Sequence, residues 1–302
     1  MAKVLQANRF GYVRDEAAID GFKRGMAKPF LAQQNAGIRN SGKGKRVLLW
    51  KAYEAVTGQP FKCHEQEIGD CVSHGFTLGA EVLATWEIHV LRQREKWLGK
   101  FSTEVTYGLS RVEIGGGRIR GDGSTGAWGS LALTRYGVIR RGVYGSVDLS
   151  RYRPDLAKRF GDQGVPDDLE TIAKERPVKT ATLCTSYSQA IDAMANGYPV
   201  VVCSNRGFNM RRDRDGFLKP FGSWPHCMMF FGYDDSSSRK GVCIANSWPP
   251  SWVSGPDHAL GQPEGCFWAD ASVVDAMLKQ GDSYALSDFD GYPARELDFV
   301  LF

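Results

Sequence analysis

The stretch Gln66-Glu67-Ile68-Gly69-Asp70-Cys71-Val72-Ser73-His74-Gly75-Phe76 reads as a short polar loop entering a helix whose first residue is a cysteine. From Cys71 onward, Val72, Phe76, Ala80, Leu83, Val90 and Trp97 recur at spacings of three, four and seven, which predicts one apolar face of a long helix. Gly75 and Gly79 would each cost about 1 kcal/mol against alanine inside a helix, so they imply a close neighbour there. A thiol at a helix N-terminus sits beside unpaired N–H groups and the positive end of the dipole, which favours thiolate. The competing reading is that Cys71 only packs, since free cysteine is among the most buried residue types.

At 302 residues the chain can bury one large core or two subdomains around a cleft. With 42% hydrophobic and 24% charged residues, its composition is that of an ordinary folded protein. A net charge of +4 is too small at this length to suggest a nucleic-acid partner. No apolar run is long enough for a membrane span, and Met1 to Arg9 lacks the apolar core of a signal peptide. Seven cysteines without a small-scaffold spacing suit free thiols in a reducing compartment. The expectation is a protein that is cytoplasmic when made.

Residues 1–47 read as an N-terminal arm or linker, with a helix over Arg14 to Ala27 and then a polar, glycine-containing run from Asn35 to Arg46. Its Lys43, Lys45 and Arg46 are expected in a solvated loop. Ordered structure begins at Val47 to Trp50. A short segment starts at Ser102, the run Gly115 to Gly126 is rich in glycine, and Ala127 to Tyr136 reads as a helix closed by Gly137. The glycine run lacks the Gly-Lys-Ser/Thr of a phosphate loop, so its glycines are expected to admit a substrate backbone. Asp148 to Asp168 reads as a connector with prolines at 154 and 166. Ser188 to Asn196 reads as a helix capped by Ser188. Strand-like runs follow at 199–204, 227–233, 241–245 and 265–269, with a polar turn from Asp234 to Lys240 whose paired aspartates are expected in solvent. A helical half followed by an antiparallel half is an α+β pattern.

Trp224-Pro225-His226 immediately precedes an apolar strand, and Asn246-Ser247-Trp248 ends the next one. A cysteine nucleophile needs an imidazole to take its proton and later protonate the leaving amine. The imidazole needs a third group on its other nitrogen, which an asparagine oxygen supplies without adding charge. The oxyanion needs two donors, and Gln66 can supply one beside the Cys71 backbone N–H.

In the order Gln66…Cys71, His226 before a strand ending Gly232-Tyr233, and Asn246-Ser247-Trp248, the chain resembles the papain-like cysteine peptidases. Trp50 resembles the family's tryptophan before the cysteine loop. Gly121 to Trp128 with Tyr136-Gly137-Val138 resembles its glycine-rich cleft wall, and Gly197 to Cys203 its first sheet strand, so the likeness covers roughly residues 48–270. It implies a helical subdomain and an antiparallel, barrel-like β-sheet subdomain with the active site in the cleft between them. It also implies Cys71 as nucleophile, His226 as base and acid, Asn246 as orienter and Gln66 as oxyanion donor. Trp248 would shield the Asn–His hydrogen bond, and Ser124, Thr125 and Gly126 would pair with substrate backbone. Val72 departs from the family's usual aromatic residue, and the loop from Gln66 to Cys71 is one residue shorter than usual. The family's disulfide cysteines are missing apart from the offset Cys63, and the first 47 residues are short for an inhibitory propeptide.

The expected organisation is an arm over 1–47 and a papain-like domain over 48–302, helical over 48–147 and mainly β over 148–302. The expected function is hydrolysis of amide bonds in a polypeptide through a thioester acyl-enzyme, with no cofactor, metal or membrane. The alternative is a structural or assembly subunit of a larger particle, such as a phage virion, for which the aromatic tail Leu297 to Phe302 would suit. A zinc module using Cys63, His64, Cys71 and His74 fits no standard spacing. A compact cell-wall peptidase would hold its histidine nearer than the 155 residues separating Cys71 from His226.

Overall fold

The computed structural model describes residues 9–25, 38–90 and 96–287. The cysteine helix, α3 (Cys71–Val90), is the central element, and it is buried on all sides from Cys71 to Leu83 rather than along one stripe. It lies between a helical half and the inner face of a sheet. The glycines it carries are where the sheet comes closest. A Cβ on Gly75 would lie 2.9 Å from Cys227 Sγ, and one on Gly79 2.9 Å from Leu286 Cδ1.

Before α3 come α1 (Glu16–Gly25), β1 (Arg46–Leu48) and α2 (Trp50–Thr57). Helix α1 begins where Asp15 Oδ1 accepts the Ala18 N–H, and it buries Ile19 and Phe22, the latter edge-on against Tyr284. After α3 come α4 (Thr103–Gly108), capped by Ser102, a π-helical turn (Leu109–Ile114), and α5 (Gly126–Arg135), capped by Thr125. The residues read as a connector instead form α6 (Pro154–Gln163) and the first two residues of α7 (Asp167–Ala173). Pro154 opens its helix and Pro166 immediately precedes the next, the positions where a missing N–H and a fixed φ cost nothing. Leu156, Phe160, Val165 and Leu169 pack with Val105 and Leu109 in a core of their own on the helical side.

Beyond a small hairpin of β2 (Val143–Tyr144) and β3 (Val147–Asp148), the described residues build one seven-stranded antiparallel sheet. Its strands are β4 (Thr180–Leu183), β5 (Val200–Phe208), β6 (Pro220–Asp234), β7 (Gly241–Ala245), β8 (Phe267–Asp270) and β9 (Tyr284–Ser287), in the order β4-β9-β5-β6-β7-β8, with β1 added along β6. Helix α8 (Tyr187–Ala195) is capped by Ser186, two residues earlier than expected, and α9 (Ala271–Leu278) follows β8. Strand β6 runs seven residues further toward its N-terminus than its apolar stretch, so His226 lies inside it, paired with Ser204 of β5.

The polar run ahead of β1 is not a loose loop. Asp192 accepts the N–H groups of Asn40 and Gly42, Asp235 accepts that of Gly44, and Asp234 pairs with Arg46 at 3.0 Å. Asp234 and Asp235 are accordingly buried, against the expectation that they face solvent. Unpaired N–H groups are what a buried carboxylate needs, and a glycine-rich run supplies them. No helix among the described residues is long and apolar enough to cross a membrane. Leu297 to Phe302, the tail that suited the particle reading, lies outside the described residues.

Candidate active site

Cys71 stands at the first turn of α3, and its thiol meets the backbone of Cys227, the residue after His226, and of Gly11. His226 Nε2 lies 2.8 Å from Asn246 Oδ1, donating to it, while Nδ1 has no partner among the described residues. A proton on Nε2 leaves the lone pair on Nδ1. Trp248 stacks on the His226 ring at 4.8 Å between centroids, so the His–Asn hydrogen bond is sealed from water on that side. Adjacent antiparallel strands bring these groups together: β6 carries His226, and Asn246 follows the last residue of β7.

Gln66 is held by the same segment. Its backbone N–H donates to Ser247 O, and its Oε1 accepts from Ser247 Oγ at 2.5 Å. The Gln66 Nε2 donates to Ile68 O at 2.7 Å and to Arg9 O at 2.9 Å. Ser124 lies on the facing wall. Thr125 caps α5 through Trp128 N–H, and Gly126 N–H donates to Asp282. The glycine-rich loop before them is pinned by buried Arg111, which donates to the carbonyls of Gly123, Gly161 and Ile119.

The groove is filled by residues 9–13 of the chain itself, a segment the sequence reading placed in an arm outside the core. Gly11 O accepts from Ser124 N–H and Val13 N–H donates to Ser124 O, a parallel pairing that takes up both backbone groups of Ser124. On the other wall Tyr12 N–H donates to Pro225 O. Phe10 covers His226 and Trp248 at 6.0 and 5.7 Å between ring centroids. Under this cover burial decides the electrostatics. It pushes the Cys71 thiol well above its usual range, against the opposing backbone hydrogen bonds from Cys227 and Gly11, so the helix dipole does not yield a thiolate here. Burial likewise lowers His226 to about 4, with the Asn246 hydrogen bond opposing.

Three further groups around the site carry no signal in the sequence beyond their polarity. Asp70 accepts from Tyr152 Oη at 2.9 Å and pairs with His74 at 3.2 Å, fixing the loop one residue before Cys71. His64 pairs with buried Glu81 at 3.1 Å, which also accepts the Phe101 N–H. Asp282 accepts from Gly126 N–H and Tyr284 Oη close to Tyr12. His64 and His74 are thus each engaged by a carboxylate, and among the described residues no group of three or more such side chains could hold a metal. His258 stacks on Trp268.

No family model and no curated protein matches the chain. Solved structures do. Xylellain, a cysteine protease from Xylella fastidiosa, is similar over 96% of this chain and 95% of its own, at 16% identity and a TM-score of 0.55. Procathepsin B S9 from Trypanosoma congolense matches over 94% and 87% at 10% identity and 0.54. The ragweed pollen allergen Amb a 11, a cysteine protease in its proform, matches over 96% and 72% at 16% identity and 0.50. With a buried cysteine helix against an antiparallel sheet and a groove between them, the chain has the fold of the papain-like cysteine proteases.

Proposed function

We propose that the chain is a cysteine peptidase held latent by its own residues 9–13. The observation that carries this reading is that the segment lies across Cys71 and occupies what a substrate would need: the Gln66 amide, both backbone groups of Ser124 and the space beside His226. Two of the similar structures, procathepsin B S9 and Amb a 11, are themselves precursors.

With the segment displaced, water returns to the groove and the thiol loses the burial that holds its proton. His226 Nδ1 takes that proton, and the sulfur attacks the scissile carbonyl. The oxyanion that forms accepts from Gln66 Nε2, freed of Arg9, and from the Cys71 backbone N–H at the positive end of α3. His226 then protonates the leaving amine, and water hydrolyses the thioester with His226 again as base. Asn246 keeps the imidazole in the tautomer these steps require.

The test compares the full chain with a chain lacking residues 1–14. The shortened chain should hydrolyse a fluorogenic peptide pool and react with a cysteine-directed epoxide at Cys71, at least tenfold faster than the full chain. Cys71→Ala should abolish both. A folded shortened chain that neither hydrolyses peptides nor takes up the epoxide would refute the reading.

A further inference from the structure

The cysteines outside the groove are not scattered. Cys63 Sγ and Cys266 Sγ are 3.7 Å apart, joining the loop before α3 to the turn before β8. Cys63 is half-buried and open to a reagent, while Cys266 is sealed. Cys266 is also fixed in place: its carbonyl accepts from the Nη2 of buried Arg212 at 3.0 Å, and the neighbouring Gly265 carbonyl accepts from Trp252 Nε1 at 2.8 Å. Three residues after Cys63, Gln66 is already tied to Ser247 of the sheet half through backbone and side chain. A covalent link at Cys63 would therefore lock a junction that is already closed, with little movement of either side. It is not the pairing the papain resemblance implies, because the glycine-rich loop holds no cysteine.

We propose that Cys63 and Cys266 form a reversible disulfide that staples the loop before the nucleophile helix to the sheet half. The oxidant is a low-molecular-weight disulfide such as oxidised glutathione. The Cys63 thiolate attacks it, forming a mixed disulfide and releasing one reduced glutathione. The Cys266 sulfur then displaces the second, its proton passing to the departing glutathione sulfur, so two thiols give up two protons and two electrons and the oxidant leaves as two thiols. Access sets this order, since only Cys63 can be reached first.

The experiment uses the full chain carrying Cys71→Ala, so that the proposed nucleophile neither cuts nor captures glutathione. The protein is equilibrated with mixtures of reduced and oxidised glutathione, alkylated and digested without reduction, and the linked peptides are identified by mass. The expected product joins the Cys63 and Cys266 peptides, disappears with dithiothreitol and with Cys63→Ser, and raises Tm by roughly 5 °C or more because it closes a long loop. Cys203 and Cys227, whose sulfurs are 3.1 Å apart but fully buried, serve as the internal comparison. Recovery of glutathione on Cys63 with Cys266 still free would overturn the proposal. So would a Cys203–Cys227 link formed while Cys63 and Cys266 remain thiols.

Discussion

Gly11 crosses Gly69 so closely that a Cβ on Gly11 would lie 1.8 Å from the Gly69 carbonyl oxygen. The contact is backbone against backbone, one residue before Asp70 and two before Cys71, so no side-chain rotation can relieve it. Gly11→Val should therefore expel residues 9–13 from the groove while leaving the rest of the chain folded. The expected outcome is an epoxide-labelling rate at Cys71 at least tenfold above wild type with Tm changed by only a few degrees. A variant that melts much earlier and labels no faster would mean that the segment is part of the core rather than a removable cover.

Gln66 serves both states, which separates its effects. In the chain lacking residues 1–14, Gln66→Ala should lower kcat about 100- to 1,000-fold, the usual cost of one oxyanion donor, with KM little changed. In the full chain the same substitution also removes the bond to Arg9 O, so the segment should leave more readily. Steady-state kinetics on the first and limited proteolysis of residues 9–13 on the second would check the pair. An unchanged kcat would remove Gln66 from the mechanism.

The cysteine helix, strand β7 and the His226–Asn246 pair were legible because each rests on a local pattern: helical periodicity, a β-branched run, and polar residues flanking neighbouring apolar runs. Helices α6 and α7 were not, because proline reads as a breaker even where it opens or immediately precedes a helix. The cover over the groove left no trace either. Its contacts to Ser124, Pro225 and Gln66 are made by backbone groups, which every residue carries. Gly11 marks the crossing only once Gly69 is known to lie beneath it. The buried aspartates at 234 and 235 read as surface residues for a related reason, since the Arg46 guanidinium and the Gly44 N–H that help to satisfy them come from a distant part of the chain.

Arg111 holds the wall that Ser124 belongs to, and it does so from the interior. Its guanidinium donates to Gly123 O and Gly161 O at 2.7 Å each and to Ile119 O at 3.2 Å. Arg111→Met keeps the length of the side chain but leaves these carbonyls short of donors, at about 1–3 kcal/mol for each that stays dry. The expected loss is about 3 kcal/mol or more in urea unfolding, with a raised KM in the shortened chain because the Ser124 wall loosens. A variant as stable as the parent would show that water replaces the guanidinium.

Acid should loosen the cover. With residues 9–13 in place, burial lowers His226 to about 4, whereas an imidazole returned to water titrates near its ordinary value of about 6.5. Between these two values the released form binds a proton that the covered form does not. The contribution of His226 to covering is therefore fully present above about pH 6.5 and is progressively lost as the pH falls toward 4. Trp248 supplies part of the burial and stays behind, so the gain per pH unit should be below the tenfold limit of full linkage. The measurement is the epoxide-labelling rate of the full chain divided by that of Gly11→Val, which cancels the reagent's own pH dependence. That ratio should rise toward one as the pH is lowered from 7 to about 4.5. A ratio that stays flat would mean that the Phe10 cover contributes nothing to the state of His226.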